Sequence, residues 1–324
     1  MKFPSNIKNF IRFSLFLVAF ILVLCCIFFI NKNGGKKWYD NSGNVFGTAY
    51  HIKYLSKYDA HNLISLELEK INNTFSIFNP NSLVSRLNVA ETDSVNDLFK
   101  ELFLISKSVY KETGGAFDPT VRPAVEAWGF GKSEVPSLAP EKLDSIRELI
   151  GFQKVTLEGE LLKRPRGVTL DFGAIAKGYA VDRVAEILEK IGIKHYIIEI
   201  GGEVRVLGLN PEDNPWQIGI VKPQTSNDIQ SSDLQDKIIE LTEGSVATSG
   251  NYNNIRHING KSYSHTIDPF SASPRLSDIL SATVIAPQCA VADAYATAFM
   301  VLGKEKSLKI IALKDSTQLR AILY

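Results

Sequence analysis

The sequence is poor in cysteine: it has three in 324 residues, and two of them, Cys25 and Cys26, lie in one apolar stretch near the N-terminus. Beyond that stretch only Cys289 remains, which excludes an intramolecular disulfide there. Cys289 sits in the small, mostly apolar run from Ala286 to Ala292 and reads as a packed hydrophobe rather than a nucleophile. An excess of one charge is also missing. The 36 Lys and Arg against 35 Asp and Glu give a formal net charge of +1, so the basic surplus of a nucleic-acid binder is absent and no nucleic-acid partner is expected. Neither GxGxxG nor GxxxxGK[ST] occurs, which removes the fingerprints of the common nucleotide folds. There is no internal repeat, and no linker is long enough to separate one domain from another. At 45% hydrophobic and 22% charged, the composition excludes intrinsic disorder and a coiled coil.

What is present is unevenly spread. The mean hydropathy of zero averages a very apolar start and a more polar remainder. Phe13 to Ile30 is a run of 18 residues without a charge, long enough to span a hydrocarbon core of about 30 Å. Lys2, Lys8 and Arg12 precede it, and Lys32, Lys36 and Lys37 follow it. It reads as an uncleaved signal anchor, or alternatively as a lipoprotein signal peptide ending at Cys25 or Cys26. Either form attaches the chain to the inner membrane and places the rest on the extracytoplasmic side. Residues 1–30 hold three of the 36 basic residues and none of the 35 acidic ones, so the remainder stands at −2. The expected organisation is a membrane segment at 1–30, a polar tether at 31–42 and one catalytic domain at 43–324.

In that domain, hydrophobic periodicity predicts helices over 60–75, 96–112, 141–150, 174–191 and 290–302. Strands are expected over 45–55, 195–200, 203–209, 216–222, 238–242, 255–258, 281–286 and 318–323. Helices and strands mix without strict alternation, which argues an α+β layered domain.

Several segments carry chemistry-bearing residues. In Thr113-Gly-Gly-Ala-Phe-Asp-Pro-Thr120, two glycines permit close backbone approach and Asp-Pro sets a turn. Trp128-Gly-Phe-Gly131 follows shortly after. Asp171-Phe-Gly-Ala-Ile-Ala-Lys-Gly-Tyr179 runs into a helix start, whose free N–H groups and positive dipole end suit phosphate, with Lys177 adding a point charge. There Asp171 can also act as the helix cap and Lys177 as a solvated side chain. In Ala292-Asp-Ala-Tyr-Ala-Thr297, Asp293 and Thr297 are four apart and share one helix face. A carboxylate and a hydroxyl are hard oxygen ligands that suit Mg²⁺ better than zinc. The alanines around them predict a closely packed helix, in which an uncompensated Asp293 is costly. Ser245 to Gly250 and Tyr263 to Pro269 read as loops, and His265 in the second is the one histidine of the five with the context of a general base.

Taken in order, these segments resemble the ApbE family of FAD:protein FMN transferases. The matching pieces are Gly47-Thr48, Thr74 to Phe78, Ser82 to Asn88, Gly115 to Thr120, Trp128 to Gly131, Asp171 to Asp182, Gly201-Gly202-Glu203, Ala247 to Gly250, His265 to Pro269 and Ser281 to Gly303. The resemblance implies a single T-fold-like domain that binds FAD and Mg²⁺. It implies transfer of the FMN half of FAD to a threonine hydroxyl of an exported target protein, with release of AMP. By position, Ala174 (through its carbonyl), Asp293 and Thr297 would hold the metal. Phe46, Phe78, Ala116, Phe117, Asp118, Asp171, Lys177 and Ile267 would lie at the flavin nucleotide, and His265 would take the proton of the acceptor. The chain departs from the pattern usual in the family at three places: Phe46 stands for Met, Phe78 for Tyr, and Ser271-Ala272 for Thr-Gly. Two other readings share the site: an FAD pyrophosphatase giving free FMN, and a membrane-tethered FAD-binding protein without turnover.

Overall fold

The computed structural model describes residues 34–130, 140–223, 235–251, 255–258, 261–275 and 277–324, together with residues 18 and 21. Apart from those two positions, the apolar run at 13–30 lies outside the described residues, as do 31–33 of the tether and Gly131. Among the described residues no helix is long and apolar enough to cross a membrane.

In chain order the strands are β1 (Lys37–Val45), β2 (Thr48–Ser56), β3 (Thr156–Glu158), β4 (Leu161–Lys163), β5 (Tyr196–Ile200), β6 (Glu203–Leu207), β7 (Trp216–Val221), β8 (Gln235–Leu241), β9 (Glu243–Gly250), β10 (Ile255–Ile258), β11 (Lys261–Ser264), β12 (Ile267–Asp268), β13 (Ser273–Pro274), β14 (Ser281–Ala286) and β15 (Arg320–Leu323). The helices are α1 (His61–Phe75), α2 (Leu83–Asn88), α3 (Asp97–Glu112), α4 (Arg122–Ala127), α5 (Pro140–Glu148), α6 (Ala176–Lys190), α7 (Cys289–Leu302) and α8 (Lys304–Ala312). Seven strands form one sheet in the order β1-β2-β5-β6-β9-β14-β15, with every neighbouring pair antiparallel. An antiparallel sheet with its main helices on one face is the expected α+β layering.

Alternation along the strands sorts the two faces. Tyr196, Ile198 and Ile200 of β5 point into the helical core, where they join Ile64, Val184 and Ala298. Ile197 points the other way, towards a second cluster in which the β7–β8 hairpin covers Val206 and Val246 with Trp216 and Ile218.

The structure corrects three expectations. The tether is shorter than 31–42, because β1 starts at Lys37 and pairs along its whole length with β2. Polar Asp40 to Asn44 mask this strand in the sequence, while Trp38 packs edge-on against Trp216 with ring centroids 5.9 Å apart. The strand expected at 45–55 starts later, at Thr48: Val45 ends β1, and Phe46 and Gly47, with φ of 54° and 75°, turn the hairpin between β1 and β2. Positive φ at both central residues is the type I′ pattern. Ser245 to Gly250 is no loop: it belongs to β9, which pairs with β6 on one side and β14 on the other. Its Ser, Thr and Gly content resembles a turn, yet both of its neighbours supply hydrogen-bond partners.

Candidate functional site

A cleft of 740 Å³ lies beside the β5–β6 turn and the end of β9. That volume falls within the range of about 300–1,000 Å³ usual for ligand sites. Into it the fold gathers Ala116 to Asp118, Asp171, Ala174, Lys177, His265, Ile267, Asp293 and Thr297, residues from widely separated segments.

Helix α7 supplies the floor. Its first two N–H groups, of Cys289 and Ala290, donate to the Asp182 carboxylate of α6 at 2.9 and 2.8 Å, and Arg205 holds that carboxylate from β6 at 2.6 Å. The two helices touch at Gly178, where a Cβ would stand 2.4 Å from the Cys289 carbonyl oxygen. This closeness lets the Gly178 N–H donate to Asp293 Oδ2 at 3.1 Å. One turn along α7, Thr297 opens on the same cleft, with its hydroxyl 3.1 Å from that of Ser249 on β9. Asp293 is buried and the alanines around it are fully buried, as the small-residue pattern predicts.

The charge balance here is unusual. Lys177 Nζ meets Glu203 Oε1 at 2.5 Å, and Glu203 is only 2% exposed. The other oxygen, Glu203 Oε2, is buried and has no hydrogen-bond partner among the described residues. Burial, reinforced by the nearby Asp293, pushes the Glu203 carboxyl up to about 8. Burial also pushes Asp293 upward, opposed by Lys177 and the Gly178 amide. Two buried carboxylates therefore face one lysine, an arrangement that favours a proton or a cation.

Among the described residues no group of three or more His, Cys, Asp and Glu is placed to hold a metal. The expected donors are of another kind: the Asp293 carboxylate, the Thr297 hydroxyl and the Ala174 carbonyl, all bordering the cleft. An all-oxygen set fits Mg²⁺ and not zinc. The orphaned Glu203 oxygen beside it supports a cation site on grounds independent of the donor chemistry.

The Ala116–Asp118 wall is built by its own hydrogen bonds. Asp118 accepts from the Thr120 amide at 2.7 Å, the Thr120 hydroxyl at 2.6 Å and the Phe152 amide at 3.1 Å. Burial pushes its carboxyl up while these donors pull it down. Both oxygens thus hold the loop that presents Ala116 and Phe117. The Asp171 amide donates to the Pro119 carbonyl at 2.7 Å, joining this wall to the stretch that leads into α6.

On the opposite side, His265 precedes the β12–β13 hairpin, and Ile267 of β12 is buried against the cleft. Trp128 Nε1 donates to the Ala272 carbonyl at 2.9 Å, which explains why the Trp128 segment accompanies this hairpin. Ala272 is fully buried with φ of 52°, so the left-handed turn survives the loss of glycine.

Two expected flavin residues are not brought to this cleft. Phe46 lines a separate recess of 450 Å³ with Tyr50 and Leu68. Phe78 is 63% exposed and outside the cleft lining. Asp171 is not the cap of α6. It accepts from the Gly173 amide at 2.8 Å, and the helix begins only at Ala176. Lys177 is paired rather than solvated. The amides of Ile175 and Ala176 bond to the Phe172 carbonyl and that of Gly178 to Asp293, so these three are not open to a phosphate. Glu203, Ser249 and Asp182 were not singled out by the sequence. Their signal there was only membership of the Gly201-Gly202-Glu203, Ala247 to Gly250 and Asp171 to Asp182 segments.

A sequence profile described as the ApbE family matches residues 46–323. The chain belongs to the ApbE family. It is 35% identical over 281 residues to an FAD:protein FMN transferase of Vibrio cholerae, covering 83% of each chain. It is 31% identical over 259 residues to an FAD:protein FMN transferase of Escherichia coli K12, covering 76% of this chain and 72% of the relative. Among solved structures, the flavin transferase ApbE from Vibrio cholerae superposes with a TM-score of 0.76 at 32% identity, over 89% of this chain and 97% of that one. The apo flavinyl transferase ApbE of Pseudomonas stutzeri gives a TM-score of 0.76 at 30% identity, over 89% and 95%.

Proposed function

We propose that this ApbE-family chain moves the FMN half of FAD onto a threonine hydroxyl of an exported protein and releases AMP. The observation that carries the reading is the meeting, in one cleft, of His265, Asp293, Thr297, Ala174 and the half-satisfied Glu203. The Asp293 carboxylate, the Thr297 hydroxyl and the Ala174 carbonyl would hold Mg²⁺. Bound there, the ion supplies charge neutralisation at a pyrophosphate. Phosphoryl transfer asks the protein mainly to position and neutralise. The wall Ala116–Phe117 and Ile267 orient the flavin nucleotide. Lys177, held by Glu203 at 2.5 Å, brings a fixed positive charge to the phosphates. His265 takes the proton of the attacking hydroxyl. The bond between acceptor oxygen and the FMN phosphorus forms as the P–O bond to AMP breaks.

The test incubates the chain with FAD, Mg²⁺ and an exported flavoprotein, then measures AMP and protein-bound flavin fluorescence. Asp293→Ala is expected to abolish Mg²⁺-dependent AMP release, and full activity would remove the metal assignment. His265→Ala is expected to lose transfer, and retained transfer with an unchanged pH profile would remove His265 as the base. AMP with only free FMN identifies a pyrophosphatase. Tight FAD with no AMP identifies a binding protein.

A further inference from the structure

We infer that Asp182 is a positioning residue of this site: by capping α7 from α6, it fixes the separation of the two segments whose oxygens would hold Mg²⁺. The inference rests on the metal reading above.

Helix α7 carries Asp293 and Thr297, and its start is held from outside. Gln288, at its N-cap, makes no side-chain bond to the helix. The first two amides belong to Cys289 and Ala290, which are fully buried. A buried amide at a helix start is costly unless an acceptor reaches it. Asp182 of α6 reaches both: Oδ1 accepts from the Cys289 amide and Oδ2 from the Ala290 amide. Its negative charge also faces the positive end of the α7 dipole. Arg205 then locks the carboxylate. One arm of its guanidinium donates to Asp182 Oδ1 at 2.6 Å, and the other reaches Glu189 Oε1 of α6 at 3.4 Å.

Asp182 is one of a row. Gly178 stands four residues before it and shares its face of α6, and Cys289, Asp293 and Thr297 follow one another at the same spacing on α7. Asp182 meets Cys289 and Ala290, whereas Gly178 meets the Cys289 carbonyl and the Asp293 carboxylate. Going back along α6 therefore goes forward along α7. One further turn leads to Ala174 on one side and Thr297 on the other, and both border the cleft. The expected donors thus come from both segments, and the way the helices meet sets the gap between them. The Asp182 clamp lies about 6 Å along α7 from Asp293.

Strand β6 supplies the base for this junction. Glu203 and Arg205 are two apart on the strand and face the same side. They bond to Lys177 and Asp182, five apart on α6. Two strand residues span about 6.6 Å and five helical ones about 7.5 Å, so both pairs close together. Asparagine at 182 would keep the shape and lose this function. It offers one acceptor oxygen, and its NH₂ would confront one of the two helix amides, donor against donor.

The experiment titrates Mg²⁺ into the full chain by calorimetry and follows amide exchange by mass spectrometry. Asp182→Asn is expected to weaken Mg²⁺ binding by about 10-fold, the lower end of the cost of losing the support behind a metal ligand. It should also speed exchange of the Cys289, Ala290 and Gly178 amides. Ile218→Ala, in the cluster on the other face of the sheet, is the comparison: a lower melting temperature with Mg²⁺ affinity unchanged. Parent-like affinity and parent-like Gly178 exchange in Asp182→Asn would overturn the inference, as would an equal loss of affinity in Ile218→Ala. Should Asp182→Asn not fold, Arg205→Lys keeps the capping carboxylate and a positive charge but loses the fork. It should weaken Mg²⁺ binding by a smaller factor, and unchanged affinity would overturn the inference too. If the parent chain takes up no Mg²⁺, the metal reading fails, and Gly178 exchange still decides whether Asp182 holds the two helices together.

Discussion

Replacing Gly178 by alanine puts a local rule against a tertiary one. Gly178 lies in the first turn of α6, and in a helix Ala is favoured over Gly by about 1 kcal/mol. Read from the helix alone, Gly178→Ala stabilises. The structure predicts the opposite. The new Cβ would stand 2.4 Å from the Cys289 oxygen, 2.6 Å from its carbonyl carbon and 2.8 Å from the Ala290 nitrogen. Ordinary heavy-atom contacts begin near ~3.5 Å, so α7 must retreat by roughly 1 Å. The atoms met are backbone and cannot rotate aside, which puts the strain at the upper end of the ~1–3 kcal/mol typical of overpacking. Set against the helix gain, the net loss is about 2 kcal/mol. The same retreat stretches the bond from the Gly178 amide to Asp293 and shifts the carboxylate that would bind the metal. A misplacement of ~1 Å in a catalytic group can lower the rate by roughly 100-fold. Chemical denaturation and Mg²⁺-dependent AMP release measure the two effects. A variant at least as stable as the parent and fully active would refute the close α6–α7 contact as the device that sets Asp293.

Three further outcomes follow from the same geometry. The folded chain holds the Glu203 proton up to about 8, whereas the unfolded chain releases it near the ordinary value of 4.5, so without metal the stability falls as pH rises through that window. Glu203→Gln should flatten this slope in melting temperature against pH, leaving the part that the other raised carboxyls such as Asp293 contribute, and an unchanged slope would show that Glu203 does not titrate there. Ala272→Gly should raise stability by up to about 1 kcal/mol, because alanine at φ of 52° is strained where glycine is not; a lower melting temperature would contradict that strain. Phe46→Asn should stabilise the β1–β2 hairpin by providing a residue suited to positive φ. If Phe46 touches the flavin nucleotide from its recess, the same variant should weaken FAD binding by calorimetry, and unchanged affinity would remove Phe46 from the site.

The local patterns in this chain carry a good deal. The four-residue spacing of Asp293 and Thr297 requires them to share a helix face, and both do open on the cleft. The alanines between them require close packing, because a helix with so little side-chain volume buries itself only by approaching a neighbour. The alternation of Tyr196, Ile198 and Ile200 puts these three on one face, and in β5 they are the fully buried positions of the helical core. Polar segments misled in one direction. Asp40 to Asn44 and Ser245 to Gly250 look like loops because strand membership depends on having pairing partners, and those partners are distant in sequence.

The layered α+β class, the helix bearing Asp293 and Thr297, and the ordered motifs that mark the family are all legible in the chain without coordinates. Three features emerge only on folding: Glu203 faces Asp293 and Lys177 with one oxygen unpartnered among the described residues, Phe46 and Phe78 stand apart from the main cleft, and the register Gly43–Tyr50–Ile200–Glu203 puts the cleft at the far end of the sheet from Lys37. Spacing along a helix or strand is a local property that the chain carries with it. Charge balance in a buried site and the level of one strand against another are sums over segments far apart in sequence, and they exist only once the sheet register is set.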